Sequence, residues 1–216
     1  SSKPNIIIIF TDDQGYADLG CFGSKTNKTP LLDQLAKEGT RFTNFYAQAV
    51  CGPSRSALLT GRYPIRSKGW SMPASEITFA ELLKEAGYQT ACIGKWHLGM
   101  NWVEVKKGKS EELPIGARMT DGPNALGFDY FYGFTHARNI GGIIEQDKVV
   151  ANVKGIENQP LMIGKAVKYI EERSREKKPL FLYFPMCPPH SPIVPAAEFV
   201  GKSGIAGKGG KYADWG

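Results

Sequence analysis

The sequence contains no apolar run near the roughly 20 residues that a helix needs to cross a bilayer. Its longest β-branched stretch is Ile6 to Phe10, so no membrane span is expected. Cysteine is scarce: Cys21, Cys51, Cys92 and Cys187 stand far apart, without a Cys-x-x-Cys pair. That spacing excludes a dense disulfide scaffold and argues against a zinc knuckle or a dithiol redox centre. Charge of one sign is massed nowhere. The 27 Lys and Arg against 21 Asp and Glu leave a net charge of +6, which suits a protein that receives anions and does not itself indicate nucleic acid. No internal repeat is visible. Neither an initiator Met nor a hydrophobic signal stands at Ser1-Ser2-Lys3-Pro4, and we expect that something upstream has been removed.

What is present reads as one domain. The 216 residues, 42% hydrophobic and 22% charged, suffice for a core and make disorder or a fibre poor readings. NIIIIF (5–10) predicts a buried parallel strand running into an acidic, turn-rich loop at 11–20. Thr29-Pro30 opens a helix that stops at Gly39. RFTNFYA (41–47) alternates like a strand. Helices are expected from near Pro53 and over 79–87, followed by a strand at 89–94. Residues 101–127 read as a long surface excursion. Gln159-Pro160 predicts the start of a helix running to about Lys177, its charges from Glu171 to Lys178 forming a solvated face. PLFLYFPM (179–186) is a second buried strand. Gly201-Lys202-Ser203 ends like a P-loop, but Ala196 stands where the first glycine belongs, so the glycine-rich 201–216 reads as flexible. Strand and helix in alternation argue for an α/β fold, a mostly parallel sheet flanked by helices.

Ligands in open α/β sheets gather outside the carboxyl ends of the strands. Asp12-Asp13, Cys51 with Arg55, Lys95 with His97, and His190 each follow a predicted strand, so they are expected to converge on one rim. Adjacent Asp12 and Asp13 suit a hard cation, or else one of them caps a turn. Cys92 and Cys187 lie in apolar runs and read as buried thiols. Cys51 is different, because Gly52-Pro53-Ser54-Arg55 is poor core material. Pro53 suits a first helical turn, which puts Cys51 at a helix N-terminus that favours an anion. A tyrosine-phosphatase loop fails, since Ala57 stands where its arginine belongs. A thiolate nucleophile partnered by His97 or His190 stays open, as does a packed thiol. His136 and Arg138 either touch substrate or line a solvated loop.

Cys51-Gly52-Pro53-Ser54-Arg55, completed by Leu59-Thr60-Gly61-Arg62, resembles the signature of the type I sulfatase family, within the alkaline-phosphatase-like superfamily. Asp12-Asp13 resembles that family's metal-binding acidic pair, Gly94-Lys95-Trp96-His97 its Gly-Lys-Trp-His segment, and Pro189-His190 its later histidine. The resemblance implies an alkaline-phosphatase or sulfatase-like α/β fold and hydrolysis of sulfate esters. It implies that a formylglycine-generating enzyme or equivalent maturase oxidises Cys51 to formylglycine, an aldehyde present as its hydrate. One hydroxyl attacks sulfur and the other, once deprotonated, expels sulfate. A thiol would instead leave a thiosulfate that is hard to discharge. Asp12, Asp13 and the oxygen at position 51 would hold Ca²⁺, with Mg²⁺ the second choice. Arg55 and Lys95 would neutralise charge, His97 would act on the hydrate, and His190 would protonate the leaving oxygen. The substrate would be a sulfated small molecule or a sulfated carbohydrate, and the setting periplasmic, secreted or otherwise extracytoplasmic. Two alternatives share the motif: a phosphonate or phosphodiester hydrolase, and an inactive relative that binds sulfated glycans. The family's second pair of metal ligands and its later lysine have no counterpart here. Residues 1–216 therefore read as the N-terminal catalytic portion of such a domain.

Overall fold

The structure is a computed structural model that describes residues 3–67, 69–103 and 113–215. Its centre is a six-stranded sheet in the order β1-β6-β2-β3-β4-β5. The strands are β1 (Ile6–Asp12), β2 (Gln89–Lys95), β3 (Tyr130–Phe134), β4 (Gly142–Glu145), β5 (Lys148–Asn152) and β6 (Leu180–Pro189). β1, β6, β2 and β3 pair in parallel, while β4 and β5 close the sheet as an antiparallel hairpin. The sheet is therefore mixed, with the expected parallel part at its heart.

The apolar runs of β2 and β6 follow from burial on both faces. Along β6, Phe181 and Tyr183 join one core with Cys92, Trp96, Phe128 and Phe131. Leu180, Leu182 and Phe184 point the other way, into a second core with Ile93, Phe134 and Cys187. Helices α2 (Cys51–Thr60) and α3 (Phe79–Glu85) give Leu59 and Ala80 to the first core. Helix α4 (Gly155–Arg173) gives Met162, Ala166 and Tyr169 to the second. Gly94 (φ 132) permits β2 and β6 to meet, because a Cβ there would lie 2.2 Å from the Pro185 carbonyl oxygen.

Several expectations are corrected. Residues 41–47 form no strand: the segment is exposed and unpaired, and alternation without a partner edge does not make a strand. β1 is parallel but only half buried, with Ile7 and Ile9 open on one face. Helix α1 (Pro30–Glu38) matches its expected span, though none of its residues is buried. α4 begins at Gly155, ahead of Gln159-Pro160, and ends at Arg173. The Lys154 N–H is capped by Glu157 at 2.8 Å, and Pro160 forfeits one backbone bond inside the helix. Residues 207–215 form a helix, α5 (Gly207–Trp215), rather than a flexible tail. Part of the 101–127 excursion, residues 104–112, lies outside the described residues. Its remainder returns to the first core through Met119 and Leu126.

Candidate active site

The carboxyl ends of β1, β2, β3 and β6 carry the chemically loaded residues. Asp12 ends β1 beyond a β-bulge that follows Phe10, and such bulges re-aim side chains. Asp13 (φ 62) and His97 (φ 57) adopt the left-handed backbone, which Asp and His tolerate better than bulky residues. His190 follows β6, and His136 and Arg138 follow β3. Cys51 arrives differently from the expectation, through the irregular 41–50 segment rather than from a strand, as the first residue of α2. The α2 N-cap, Val50, offers no side-chain acceptor, so the helix start keeps backbone donors for an incoming anion.

Beneath Cys51 lies a buried ionic triad. Arg55 Nη2 donates to Asp12 Oδ2 at 3.1 Å, and Arg55 Nη1 donates to the Lys95 carbonyl at 3.0 Å. Lys95 Nζ also donates to Asp12 Oδ2. Arg55 and Lys95 are fully buried and Asp12 is 2% exposed. Two buried cations thus share one carboxylate, which leaves one positive charge in excess. Uncompensated buried charge is costly, so the triad favours a further anion beside it. Burial alone would lower the Arg55 pKa, but Tyr183, Asp12 and Cys51 outweigh it and the net direction is up. Arg55 Nε is buried and lacks an acceptor of good geometry.

Cys51 Sγ lies 3.3 Å from His97 Nδ1. Burial, reinforced by Lys95, Arg55 and His136, pushes the His97 pKa down to about 4. His97 is therefore neutral at neutral pH and offers a lone pair. His190 Nε2 stands 3.6 Å from Asp13 Oδ2. Ligand atoms of Asp12, Cys51 and His190 lie within 4.8 Å of one another. The carboxylates of Asp12 and Asp13 are hard donors suited to Ca²⁺ or Mg²⁺, and both ion pairs of Asp12 use Oδ2, leaving Oδ1 outside them. An unmodified Cys51 thiol is too soft for such a cation, whereas an oxygen at that position fits. Cys92 and Cys187 are buried free thiols, as expected; burial raises both, Cys187 to about 12.

The structure brings Asp12, Cys51, Arg55, Lys95 and His97 together, with Asp13 and His190 beside them. His136 stands with its ring 6.0 Å from that of His97. Arg138 is on the same post-β3 turn, where its N–H donates to His136 Nδ1 at 3.2 Å. Three residues escape the motif reading. Trp70 sets its ring edge-on to His97 at 5.3 Å. Tyr212 on α5 shares its single hydroxyl proton between the Asp13 carbonyl and Asp18 Oδ2, both at 2.9 Å. Trp215 Nε1 donates to the His190 carbonyl at 3.0 Å. Only the aromatic side chains in a glycine-rich tail signal α5's role.

Fold and site together define an α/β protein whose strand ends hold a cationic cluster beside a cysteine at a helix N-terminus. The chain belongs to the sulfatase family, whose model matches residues 4–208. Arylsulfatase A of Bos taurus is 34% identical over 241 residues, covering 94% of this chain and 45% of that protein. A solved structure described under metabolism of multiple glycosaminoglycans by Bacteroides thetaiotaomicron superposes with a TM-score of 0.84 at 28% identity. It covers 99% of this chain and 56% of that one. Ps i-CgsB, solved with a neocarrahexaose, gives a TM-score of 0.83 at 30% identity, covering 99% and 52%. The chain thus spans about half the length of the relatives it matches.

Proposed function

We propose that this chain carries the nucleophile-bearing part of an enzyme that hydrolyses sulfate esters. The observation that carries the reading is the buried Arg55-Lys95-Asp12 triad, cationic on balance, directly below Cys51 at the mouth of α2. A dianionic or monoanionic tetrahedral group at that mouth meets free helix N–H groups and two fixed cations. Cys51, once oxidised by a maturase, would supply as its formylglycine hydrate one hydroxyl to attack sulfur and a second to release sulfate. A divalent cation on Asp12 and Asp13, Ca²⁺ by preference, would polarise a sulfate oxygen.

The remaining work falls to this chain's own side chains. Arg55 and Lys95 hold negative charge on the sulfuryl oxygens and at position 51. Neutral His97 accepts a proton from the group at position 51. His190, beside Asp13, gives a proton to the leaving oxygen. His136 and Arg138, on the adjacent turn, contact the organic part of the ester. The glycosaminoglycan and carrageenan-type descriptions of the neighbours favour a sulfated carbohydrate over a small aryl ester. An extracytoplasmic setting agrees with such substrates. No helix of the described residues is long and apolar enough to cross a membrane.

The test joins two measurements on the enzyme expressed with a maturase. Peptide mass across Cys51 is expected to show loss of the thiol, and sulfate release is expected to vanish in Cys51→Ala. An intact thiol together with undiminished turnover in Cys51→Ala would overturn the assignment. Preferential cleavage of a phosphonate monoester would move the enzyme to that chemistry.

A further inference from the structure

We propose that Trp70 determines substrate specificity by stacking on the pyranose ring of a sulfated sugar. The inference rests on the sulfatase reading and its sulfated carbohydrate, and assigns the side chain that recognises the sugar ring. Burial around Trp70 is mixed: Ser67 and Gly69 are buried and Met72 is 7% exposed, while Ser71, Arg66 and Ile65 are open. Trp70 itself is 51% exposed, although it stands against the first turn of α2 and beside His97. Leaving half of an indole in water forgoes part of the largest apolar payload a side chain offers.

The placement is built rather than incidental. Gly52, next to Cys51, has no side chain, and a Cβ there would come within 2.4 Å of Trp70 Cε3 and 2.8 Å of Cζ3. Glycine therefore lets the benzo ring settle on the helix start, adjacent to the group at position 51. His97 holds the ring from a second direction at 68° between planes. With the sulfate held over the charges beneath Cys51, the alcohol part of the ester would have to extend outward past Trp70 and His97. An open aromatic surface there matches the apolar C–H face of a pyranose, while the sugar hydroxyls stay in water or meet polar neighbours.

Galactose 6-sulfate and ethyl sulfate separate ring recognition from ester chemistry, because both are primary alkyl sulfates and only one has a ring. In the mature full-length enzyme, Trp70→Ala is expected to lower kcat/KM for galactose 6-sulfate by about tenfold or more, mainly through KM. The loss on ethyl sulfate is expected to be several times smaller, and Trp70→Phe should recover most of the sugar activity. Equal losses on the two esters would make Trp70 a support for His97 and α2, and would overturn the proposal. So would a wild type that cleaves ethyl sulfate yet neither binds galactose 6-sulfate in calorimetry nor cleaves it. A wild type that releases sulfate from neither ester, nor from 4-nitrophenyl sulfate, would instead remove the sulfatase reading on which the proposal stands.

Discussion

Asp12 and Asp13 are neighbours with the same side chain and opposite circumstances. Asp12 is 2% exposed and accepts from both Arg55 and Lys95, whereas the Asp13 side chain is 60% exposed and faces His190. Removing Asp12 leaves two buried cations facing each other without a counter-charge, and breaking such a pair costs about 3–5 kcal/mol. Asp12→Ala is therefore expected to lower the urea midpoint strongly, as well as to abolish metal binding and turnover. Asp13→Ala should lose metal and activity while its stability stays within about 1 kcal/mol of wild type. Equal destabilisation by the two substitutions would show that the triad does not hold the site together. The sequence marks both residues through their position after a strand. It does not distinguish them, because burial is set by Arg55 and Lys95, which are 43 and 83 residues away.

At the scale of elements, β2 and β6 are legible because burial on both faces leaves unbroken apolar runs. The β4–β5 hairpin is not, because its turn residues Gln146-Asp147 carry none of the usual glycine or Asn-Gly chemistry. Gln146 takes a positive φ of 56 and is held instead by long-range bonds, from Phe131 N–H at 3.0 Å and to the Asp129 carbonyl at 3.0 Å. Helix α5 is hidden for a like reason: its glycines oppose helicity, and the bonds that fix it are tertiary. Its Tyr212 meets the Asp13 carbonyl 199 positions away, while Trp215 meets the loop of His190. α5 thus braces two loops of the site at once. Tyr212→Phe removes only the hydroxyl and is expected to cost about 1 kcal/mol in stability. The larger effect should fall on metal affinity, read by calorimetry with Ca²⁺, since the Asp13 loop is released. An unchanged dissociation constant would confine Tyr212 to a packing role.

For the whole molecule, the two sides of β1 contrast. Ile6, Ile8 and Phe10 pack on the first core, while Ile7 and Ile9 are 44% and 58% exposed. β1 is also an edge of the sheet, so one flank of its backbone is unpaired among the described residues. Leu31 and Leu35 of α1, with Phe42, Phe45 and Tyr46, add further exposed apolar surface. A long edge strand with exposed isoleucines is a template for pairing with another chain, and apolar surface of this extent drives association. Residues 1–216 studied by themselves are therefore expected to self-associate at micromolar concentration, as read by sedimentation velocity. Ile7→Lys and Ile9→Lys together should shift the population toward monomer, because a charged edge resists pairing and neither side chain contributes to a core. Their effect on the site should be small, since Asp12 is positioned by Arg55 and Lys95 rather than by the open face of β1. A monodisperse monomer from the unsubstituted chain, or association undiminished in the double variant, would show that this face is not the one that pairs.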